Sequence, residues 1–396
     1  MRKLLLALSL LALSATSHAE PVLVKYGSIN DGRPMSTDRQ AFAASFKPSA
    51  AKPGSLIYRI KQQFGELPII EVSPVKDTPL VMIRLLDGTL MYTTPTLDYL
   101  IADAEPYKLQ VYVRPQGSAT PTNLTAQIKL TTLTSLTPAS YDPKRDQLRI
   151  NINTPPDSFE AKFQAKFGNM SIIQTAPVAG TNLVLISLLD GALMYTTEQL
   201  DYLIADSAPN QPQVHTRKAG HELTTNVSAG PQMQFNRAIL ANLTDYIEVK
   251  ADEEKYVVYA FVDLGCLYCL QMKSNIKQYN KANITVRFVP YAIQGELSEH
   301  AFAKILSYPA AQRFTKLKES SMYLFQHQDQ HVSINDMGLG DAKAEYMMSV
   351  QRNRAIGDLL GIVETPGIVY PSGKVFSGKI EPSKIVEQLK LTGERG

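Results

Sequence analysis

The sequence predicts a chain of two unlike parts, a duplicated α+β region followed by an α/β domain. The first observation is a block of motifs that occurs twice, at a constant spacing of 103 residues. The second is a run of β-branched and aromatic residues at 256–262 that passes through a turn into a helical pattern. The third is the placement of Cys266 and Cys269, the only cysteines among 396 residues, at that junction. Strand and helix patterns alternate from there to the end, which predicts a sheet covered by helices.

The overall composition is typical of a globular protein. Hydrophobic residues make up 44% of the chain and charged residues 19%. The net charge of +3 is too small to indicate a nucleic-acid partner. No motif indicates a bound cofactor or metal ion.

The N-terminal segment has the features of a secretory signal peptide. Two basic residues precede an apolar stretch at 4–13, which is too short to span a bilayer as a mature helix. Small residues at Ser17 and Ala19 then predict cleavage after Ala19. A retained anchoring helix is the alternative, but polar residues begin at Ser14 and no stop-transfer stretch follows. We therefore expect an exported, periplasmic protein, in a compartment where disulfides are made and broken.

The duplicated block predicts two small domains of the same fold. Each copy begins with a helical pattern and continues with short strand patterns, so we expect one helix and a curled antiparallel sheet. Asp87-Gly88 and Asp190-Gly191 predict tight hairpin turns, because glycine tolerates a positive φ. We also expect strands at 97–102, 108–113 and 126–130. The recurring motifs are Phe64-Gly65 with Phe167-Gly168, Pro74-Val75 with Pro177-Val178, Met91-Tyr92-Thr93-Thr94 with Met194-Tyr195-Thr196-Thr197, and Leu97-Asp98-Tyr99 with Leu200-Asp201-Tyr202.

The predicted domain order follows from these patterns. A connecting helix is expected at 235–247, followed by a charged hinge at 250–255. In the last domain, a second strand at 284–290 is followed by a helical insertion at about 301–360 and then by two strands and a closing helix. The expected segments are 1–19 signal peptide, 20–53 unassigned, 54–150 first repeat with its linker, 151–230 second repeat, 231–255 linker helix and hinge, and 256–396 redox domain.

The C-x-x-C motif predicts dithiol chemistry. Strand, turn, dithiol and helix in this order are typical of a thioredoxin-like redox site. Cys266 is expected in the first helical turn, where unpaired N–H groups and the helix dipole favour the thiolate and make it the nucleophile. Cys269 lies one turn deeper and would resolve a mixed disulfide. A loop this short gains little from a disulfide as a staple, so redox chemistry explains the pair better.

The motif and its surroundings allow other interpretations. A zinc site would need two more ligands, and the sequence offers no second C-x-x-C and no nearby histidine. Asp263 could serve either as a proton acceptor for Cys269 or as a turn and cap residue, and the cap is the preferred interpretation.

Thr365-Pro366 stands where thioredoxin-like folds place a cis-proline that packs against the dithiol and offers its neighbour's backbone to an extended substrate.

The sequence around the dithiol resembles the DsbC and DsbG family of periplasmic disulfide isomerases. The resemblance rests on residues 261–269, 284–288 and 360–367, and in weaker form on 173–180. It implies a thioredoxin-like domain with a helical insertion, a linker helix and cystatin-like dimerisation domains. It also implies catalytic Cys266 and Cys269, and a substrate surface of Tyr268, Thr365 and Pro366. The implied partners are disulfide-bonded exported proteins, a DsbD-type membrane reductase and a second copy of the chain in a homodimer.

Three departures from the family qualify that picture. The dimerisation-like domain is present twice, where the family has one. Leu267 occupies the variable position before Tyr268, and Glu364 stands where a small residue is more usual. A carboxylate near the dithiol would oppose thiolate formation and raise the pKa of Cys266. The two copies could pair within one chain as a pseudo-dimer, or the second copy could form a homodimer, and the homodimer is the sequence-based preference.

The functional hypothesis is a periplasmic thiol–disulfide oxidoreductase that isomerises or reduces wrong disulfides in exported proteins. A role as sulfenic-acid reductase stays open. The alternative is a binding protein instead of a general enzyme: a chaperone-like or assembly component of an export or conjugation apparatus, in which the redox domain serves one client protein. It is suggested by the large share of the chain that lies outside the redox domain.

Overall fold

The fold is described from a computed structural model of the chain. It covers residues 51–105, 107–130, 141–142, 147–148, 155, 157–168, 170–206, 211–217, 224–327, 331–378 and 381–391. The expected signal peptide and nearly all of the unassigned segment at 20–53 lie outside these residues. The chain divides into two compact units that meet in sequence between Pro231 and Gln232, except that Leu86–Gly88 groups with the second unit. Within the described ranges, no helix combines the length and the apolar character needed to cross a membrane.

The first copy of the repeat consists of one helix and an antiparallel sheet. Its strands pair in sequence order, each antiparallel to the next. A short 3-10 turn, Thr125–Gln127, ends the copy. The elements are α1 (Leu56–Phe64), β1 (Ile69–Pro74), β2 (Val81–Leu85), β3 (Leu90–Thr93), β4 (Leu100–Glu105), β5 (Lys108–Val113) and β6 (Thr122–Asn123). A two-stranded ribbon, β7 (Tyr141–Asp142) with β8 (Gln147–Leu148), lies in sequence between the copies.

The second copy repeats this arrangement with the same strand order. Its elements are α2 (Phe159–Phe167), β9 (Ile172–Pro177), β10 (Leu183–Leu188), β11 (Leu193–Thr197), β12 (Leu203–Asp206), β13 (Pro212–Thr216) and β14 (Thr225–Asn226). Each copy therefore combines one helix with an antiparallel sheet, as the sequence predicted.

Local sequence signals explain why the copies fold alike. Ser55 and Ser158 cap the N-termini of α1 and α2 by accepting the N–H of Tyr58 and Ala161. Each helix then ends at a glycine with a positive φ, 100° at Gly65 and 106° in the second copy. The predicted hairpin between β2 and β3 is also present, with its turn glycine at φ 87°.

One difference between the copies involves charge. In the first copy, Glu71 and Arg84 face each other across β1 and β2, and their side chains form an ion pair with an N–O distance of 3.1 Å. In the second copy, the same cross-strand positions hold Gln174 and Ser187. The two copies therefore share the fold, but this ion pair is present in the first copy and is replaced by uncharged residues in the second.

Two of the predicted strands in the first copy are wrong or shifted. The segment 126–130 is not a strand, because the Asn123 side chain accepts the N–H of Ala126 and turns the chain into the 3-10 helix. The strand expected at 97–102 begins three residues later, at Leu100. Leu97 lies in the left-handed region with φ 63°, which is incompatible with strand geometry.

A linker helix, α3 (Ala229–Leu240), joins the duplicated region to the redox domain. It begins and ends earlier than the expected 235–247, and Ile247 instead starts a strand. Asn236 on α3 donates a hydrogen bond of 2.8 Å to the carbonyl of Gly373, so the helix is held against a turn of the redox domain.

The redox domain is a five-stranded mixed sheet in the order β15-β17-β16-β18-β19. The dithiol strand β16 lies at the centre, parallel to β17 and antiparallel to β18. Its core side chains, including Val258 and Val262, are fully buried, which contributes roughly 1.5–3 kcal/mol for each large aliphatic group. The strands are β15 (Ile247–Val249), β16 (Tyr256–Val262), β17 (Ile284–Pro290), β18 (Gly367–Val369) and β19 (Val375–Ser377).

Helices cover this sheet, and three of them form the predicted insertion between β17 and β18. The dithiol helix α4 runs directly into α5, and α9 closes the chain. The helices are α4 (Leu267–Ser274), α5 (Ile276–Lys281), α6 (Glu296–Ser307), α7 (Ala310–Gln326), α8 (Ala344–Leu359) and α9 (Pro382–Leu391). The sequence predicted the order of these elements, while the insertion starts at Glu296 and so is longer at its N-terminal end than expected.

Candidate functional site

The turn between β16 and α4 is held by a buried carboxylate, Asp263. Its oxygens accept hydrogen bonds from the backbone N–H of Gly265, Ile293 and Gln294, at 3.1, 2.6 and 3.0 Å. The Ser298 hydroxyl donates a further bond of 2.9 Å. These four donors anchor the turn to the segment that leads into α6. The geometry therefore supports the turn role for Asp263, whereas the helix cap itself is a different residue.

That cap is Cys266, which stands at the N-cap of α4. Its sulfur accepts the N–H of Cys269 at 3.2 Å, as a serine or aspartate oxygen does at other helix N-termini. The positive end of the helix faces this sulfur and favours a negative charge on it. Cys266 is partly exposed, so a substrate can reach it, and both cysteines are free thiols.

The surroundings of Cys266 lower its pKa to about 6. The largest cause is a hydrogen bond from the Cys269 side chain, followed by one from the Thr365 side chain, the Cys269 N–H and the positive charge of Lys273. Partial burial opposes these effects. A pKa of about 6 leaves the thiolate in roughly tenfold excess over the thiol at pH 7, which suits a nucleophile.

The second thiol behaves in the opposite way. Cys269 is fully buried, and desolvation raises its pKa well above the ordinary value. The hydrogen bond and the charge of Cys266 raise it further. One exposed thiolate above one buried thiol is the arrangement that separates an attacking from a resolving cysteine.

Lys273 is a feature of the site that the sequence interpretation missed. It lies four residues after Cys269 on α4, so the two side chains share a helix face. Lys273 is fully buried and donates a hydrogen bond of 2.5 Å to the Ser321 hydroxyl on α7. Burial lowers the pKa of Lys273 to about 8, and its charge lowers the pKa of both cysteines. The i to i+4 spacing was the available signal, but a lysine in a helical pattern is usually exposed.

Thr365 and Pro366 lie beside the dithiol, as the sequence predicted. The peptide bond between them is cis. The Cys266 thiol donates a hydrogen bond of 3.2 Å to the Thr365 carbonyl. Pro366 is buried directly before β18, which pairs with the dithiol strand β16. Elements 99 residues apart therefore meet at the nucleophilic sulfur.

The exposed rim of the site is apolar. Leu267 and Tyr268, between the two cysteines, are 44% and 55% exposed. Glu364 is also exposed, so water and salt screen its charge. Its expected effect on the pKa of Cys266 stays a prediction. Exposed large apolar side chains next to a nucleophile form a surface suited to unfolded or partly folded polypeptide.

Taken together, the mixed sheet, the helix-capping nucleophile, the buried second thiol and the adjacent cis-proline define a thioredoxin-like dithiol oxidoreductase. Residues 244–392 match the family described as a thioredoxin-like domain. This span includes the whole five-stranded sheet and every site residue described above.

The similarity to curated proteins extends beyond this domain. The chain is 27% identical over 226 residues to the thiol:disulfide interchange protein DsbC of Salmonella typhimurium, covering 56% of this chain and 81% of the relative. DsbC of Haemophilus influenzae is 23% identical over 250 residues, covering 61% of this chain and 94% of the relative. DsbC of Escherichia coli K12 is 26% identical over 232 residues, covering 57% and 84%. The chain is accordingly a DsbC-like thiol–disulfide oxidoreductase.

Solved structures that match part of the chain include the catalytic domain of Proteus mirabilis ScsC, at a TM-score of 0.33 and 16% identity, covering 41% of this chain and 97% of that one. A periplasmic thioredoxin-like protein from Salmonella enterica serovar Typhimurium has a TM-score of 0.33 and 18% identity, covering 40% of this chain and 95% of that one.

Proposed function

We propose that this protein isomerises or reduces wrong disulfides in exported proteins through the Cys266–Cys269 dithiol. The observation that carries the proposal is the pairing of a thiol of pKa about 6 at a helix N-terminus with a buried second thiol. The similarity to DsbC along most of the relatives' length supports the same chemistry.

The proposed reaction begins with attack of the Cys266 thiolate on a substrate disulfide. The substrate S–S bond breaks, a mixed disulfide forms, and one substrate sulfur leaves as a thiolate. In isomerisation, another substrate thiolate attacks the mixed disulfide and frees Cys266, with no net change in oxidation state. In reduction, Cys269 loses its proton and attacks the Cys266 sulfur. The substrate sulfur then leaves as a thiolate, Cys266 and Cys269 form a disulfide, and two electrons have passed to the substrate.

Thr365, Pro366 and Tyr268 are proposed as the substrate-contacting residues. Thr365 and Pro366 lie next to the nucleophilic sulfur, and the Thr365 carbonyl already contacts it. Tyr268 adds an exposed aromatic ring on the same rim. An extended segment around a substrate cysteine could therefore reach Cys266 while its backbone runs beside the segment that enters β18.

The proposed setting is the periplasm, with residues 1–19 as a cleaved signal peptide. A cycle that ends in reduction leaves Cys266 and Cys269 oxidised, so the protein then needs an electron donor. A membrane reductase of the DsbD type is the partner that the resemblance to DsbC suggests. The resemblance also suggests a homodimer, and the alternative to it is a pseudo-dimer formed by the two copies within one chain.

The test is the refolding of scrambled ribonuclease by single-cysteine variants. Cys266→Ser should abolish isomerisation, whereas Cys269→Ser should retain attack and accumulate mixed disulfides that appear on non-reducing gels. Recovery of ribonuclease activity with Cys266→Ser at the wild-type rate would remove the proposed mechanism.

A further inference from the structure

The two copies of the repeat contact each other through matching residues. Tyr92 donates a hydrogen bond of 2.8 Å to the carbonyl of Pro212, and Tyr195 donates one of 3.0 Å to the carbonyl of Leu109. Tyr195 is the counterpart of Tyr92, and Pro212 is the counterpart of Leu109, at the spacing of 103 residues. Each copy therefore gives and receives the same bond, as two subunits do across a twofold axis.

Two further pairs mark the position of that internal twofold axis. The hydroxyl oxygens of Tyr99 and Tyr202, which are counterparts, lie 3.1 Å apart. Asp103 and Asp206, also counterparts, are close enough that the charge of Asp103 helps to raise the pKa of Asp206. A residue can contact its own counterpart in this way only where the axis passes between them.

The contact is also extensive and buried. β5 and β11 pair in parallel at Lys108 and Leu193, which joins the two copies into one sheet. Both copies contribute to a single apolar core, and all of its central members are at most 3% exposed. They are Val75, Leu80, Met82, Leu90, Tyr92, Tyr99, Ile101, Leu109 and Val111 from the first copy, and Val178, Leu183, Leu185, Leu193, Tyr195, Tyr202, Ile204 and Val214 from the second.

We infer that the two copies pair with each other inside one chain and cover the surface through which either copy could bind a second chain. The protein is accordingly a monomer with one dithiol. An isologous interface is closed once two copies have met, so it leaves no matching surface for a third copy. A second chain could use the same surface only by displacing a core of buried tyrosines and aliphatic side chains. The inference does not depend on the proposed redox function.

The first experiment is light scattering with size exclusion on the full chain without residues 1–19. The expected mass is that of one chain and does not change over a wide range of protein concentration. A mass of two chains would overturn the inference.

The second experiment identifies which copies pair. Tyr107 and Ala192 flank the paired Lys108 and Leu193, and both are at least partly exposed. A Tyr107→Cys, Ala192→Cys variant is made in a Cys266→Ser, Cys269→Ser background and treated with a short bifunctional maleimide. The expected product migrates as a single chain on a denaturing gel.

The outcomes of the cross-linking separate the arrangements. A product of double length would show that copies pair between chains, either in a homodimer or by domain swapping, and would overturn the inference. The single Tyr107→Cys variant is the control and should give no cross-linked chain. Failure of the disulfide assays would leave these results unchanged, so the two proposals are tested separately.

Discussion

The electrostatic balance at the dithiol depends on one buried residue, Lys273. Its ammonium group lies on the same helix face as Cys269 and lowers the pKa of both thiols. Its own pKa of about 8 leaves it mostly protonated at neutral pH. Lys273 therefore supplies a positive charge in the protein interior at the moment when the buried Cys269 has to become a thiolate.

Replacing this charge should slow the release of substrate. In Lys273→Met the pKa of Cys266 should rise above about 6 and that of Cys269 should rise further. The thiolate fraction of Cys269 then falls about tenfold for each unit of pKa, and mixed disulfides are resolved more slowly. The measurements are the pH profile of thiolate absorbance and the decay of a trapped mixed disulfide. Lys277→Met, at an exposed lysine of α5, is the matched control and should change neither.

The melting temperature separates this effect from a structural one. A buried lysine replaced by an apolar side chain of similar length often leaves stability equal or higher. A variant with unchanged cysteine titration would contradict the role assigned to Lys273, whatever its stability.

The Cys269 thiol is expected to control the reactivity of Cys266. Its hydrogen bond is the largest cause of the lowered pKa of Cys266. Alkylation of the wild type should therefore rise with pH around a midpoint near 6, because an acid with a lowered pKa loses its proton earlier. Cys269→Ala removes the hydrogen bond and should move the midpoint upward, as followed by iodoacetamide labelling of Cys266. Cys269→Ser keeps a donor and should move it less.

At the scale of elements, the sequence predicted the cis-proline and the order of elements from β16 to α9, but it missed β15, whose first residue fell in the expected linker helix. Short motifs mark these positions, and their spacing is set by the fold. The linker helix was placed too late because Pro231 looked like the end of a loop. In the structure it lies within the first turn of α3, where a missing N–H costs nothing.

The docking of α3 on the redox domain depends on Gly373. Its φ is 88°, and an added Cβ would lie 2.3 Å from the Met233 carbonyl oxygen. Gly373→Ala should therefore lower the free energy of unfolding by roughly 2–4 kcal/mol, measured by chemical denaturation. Gly338 also has a positive φ, but a Cβ added there would have no atom within 4 Å. The smaller loss of unfolding free energy in Gly338→Ala therefore measures the backbone contribution alone. Equal losses would argue against the docking contact.

At the scale of the whole molecule, the duplication could be predicted from sequence but its geometry could not. The repeated motifs establish two related domains. They do not reveal which surfaces meet, because Tyr99 and Tyr202 would be conventional core residues in either arrangement. Only their contact with each other distinguishes a pseudo-dimer from two separate domains.

The carboxyl pair on the internal axis predicts an unusual pH dependence of stability. Burial, and then the charge of Asp103, raise the pKa of Asp206 to about 9. Unfolding releases the Asp206 proton at any pH between its ordinary value and about 9, so stability falls as pH rises through that window. Asp206→Asn should raise the melting temperature at pH 8 by a few degrees and flatten its decline between pH 5 and 9.

The control for this prediction is Asp157→Asn, at an exposed carboxylate of the same copy. It should leave the pH profile of the melting temperature unchanged. A steeper decline with pH in Asp206→Asn than in the wild type would contradict a protonated Asp206 at the internal axis.

Joining both halves in one polypeptide also frees them to diverge. In a homodimer every substitution appears on both sides of the axis, so a change useful on one side is imposed on the other. Here the Glu71–Arg84 ion pair of the first copy is replaced by Gln174 and Ser187 in the second. The two copies are therefore no longer identical at these positions. Each copy can change its exposed surface independently, while the apolar core that joins the copies is kept.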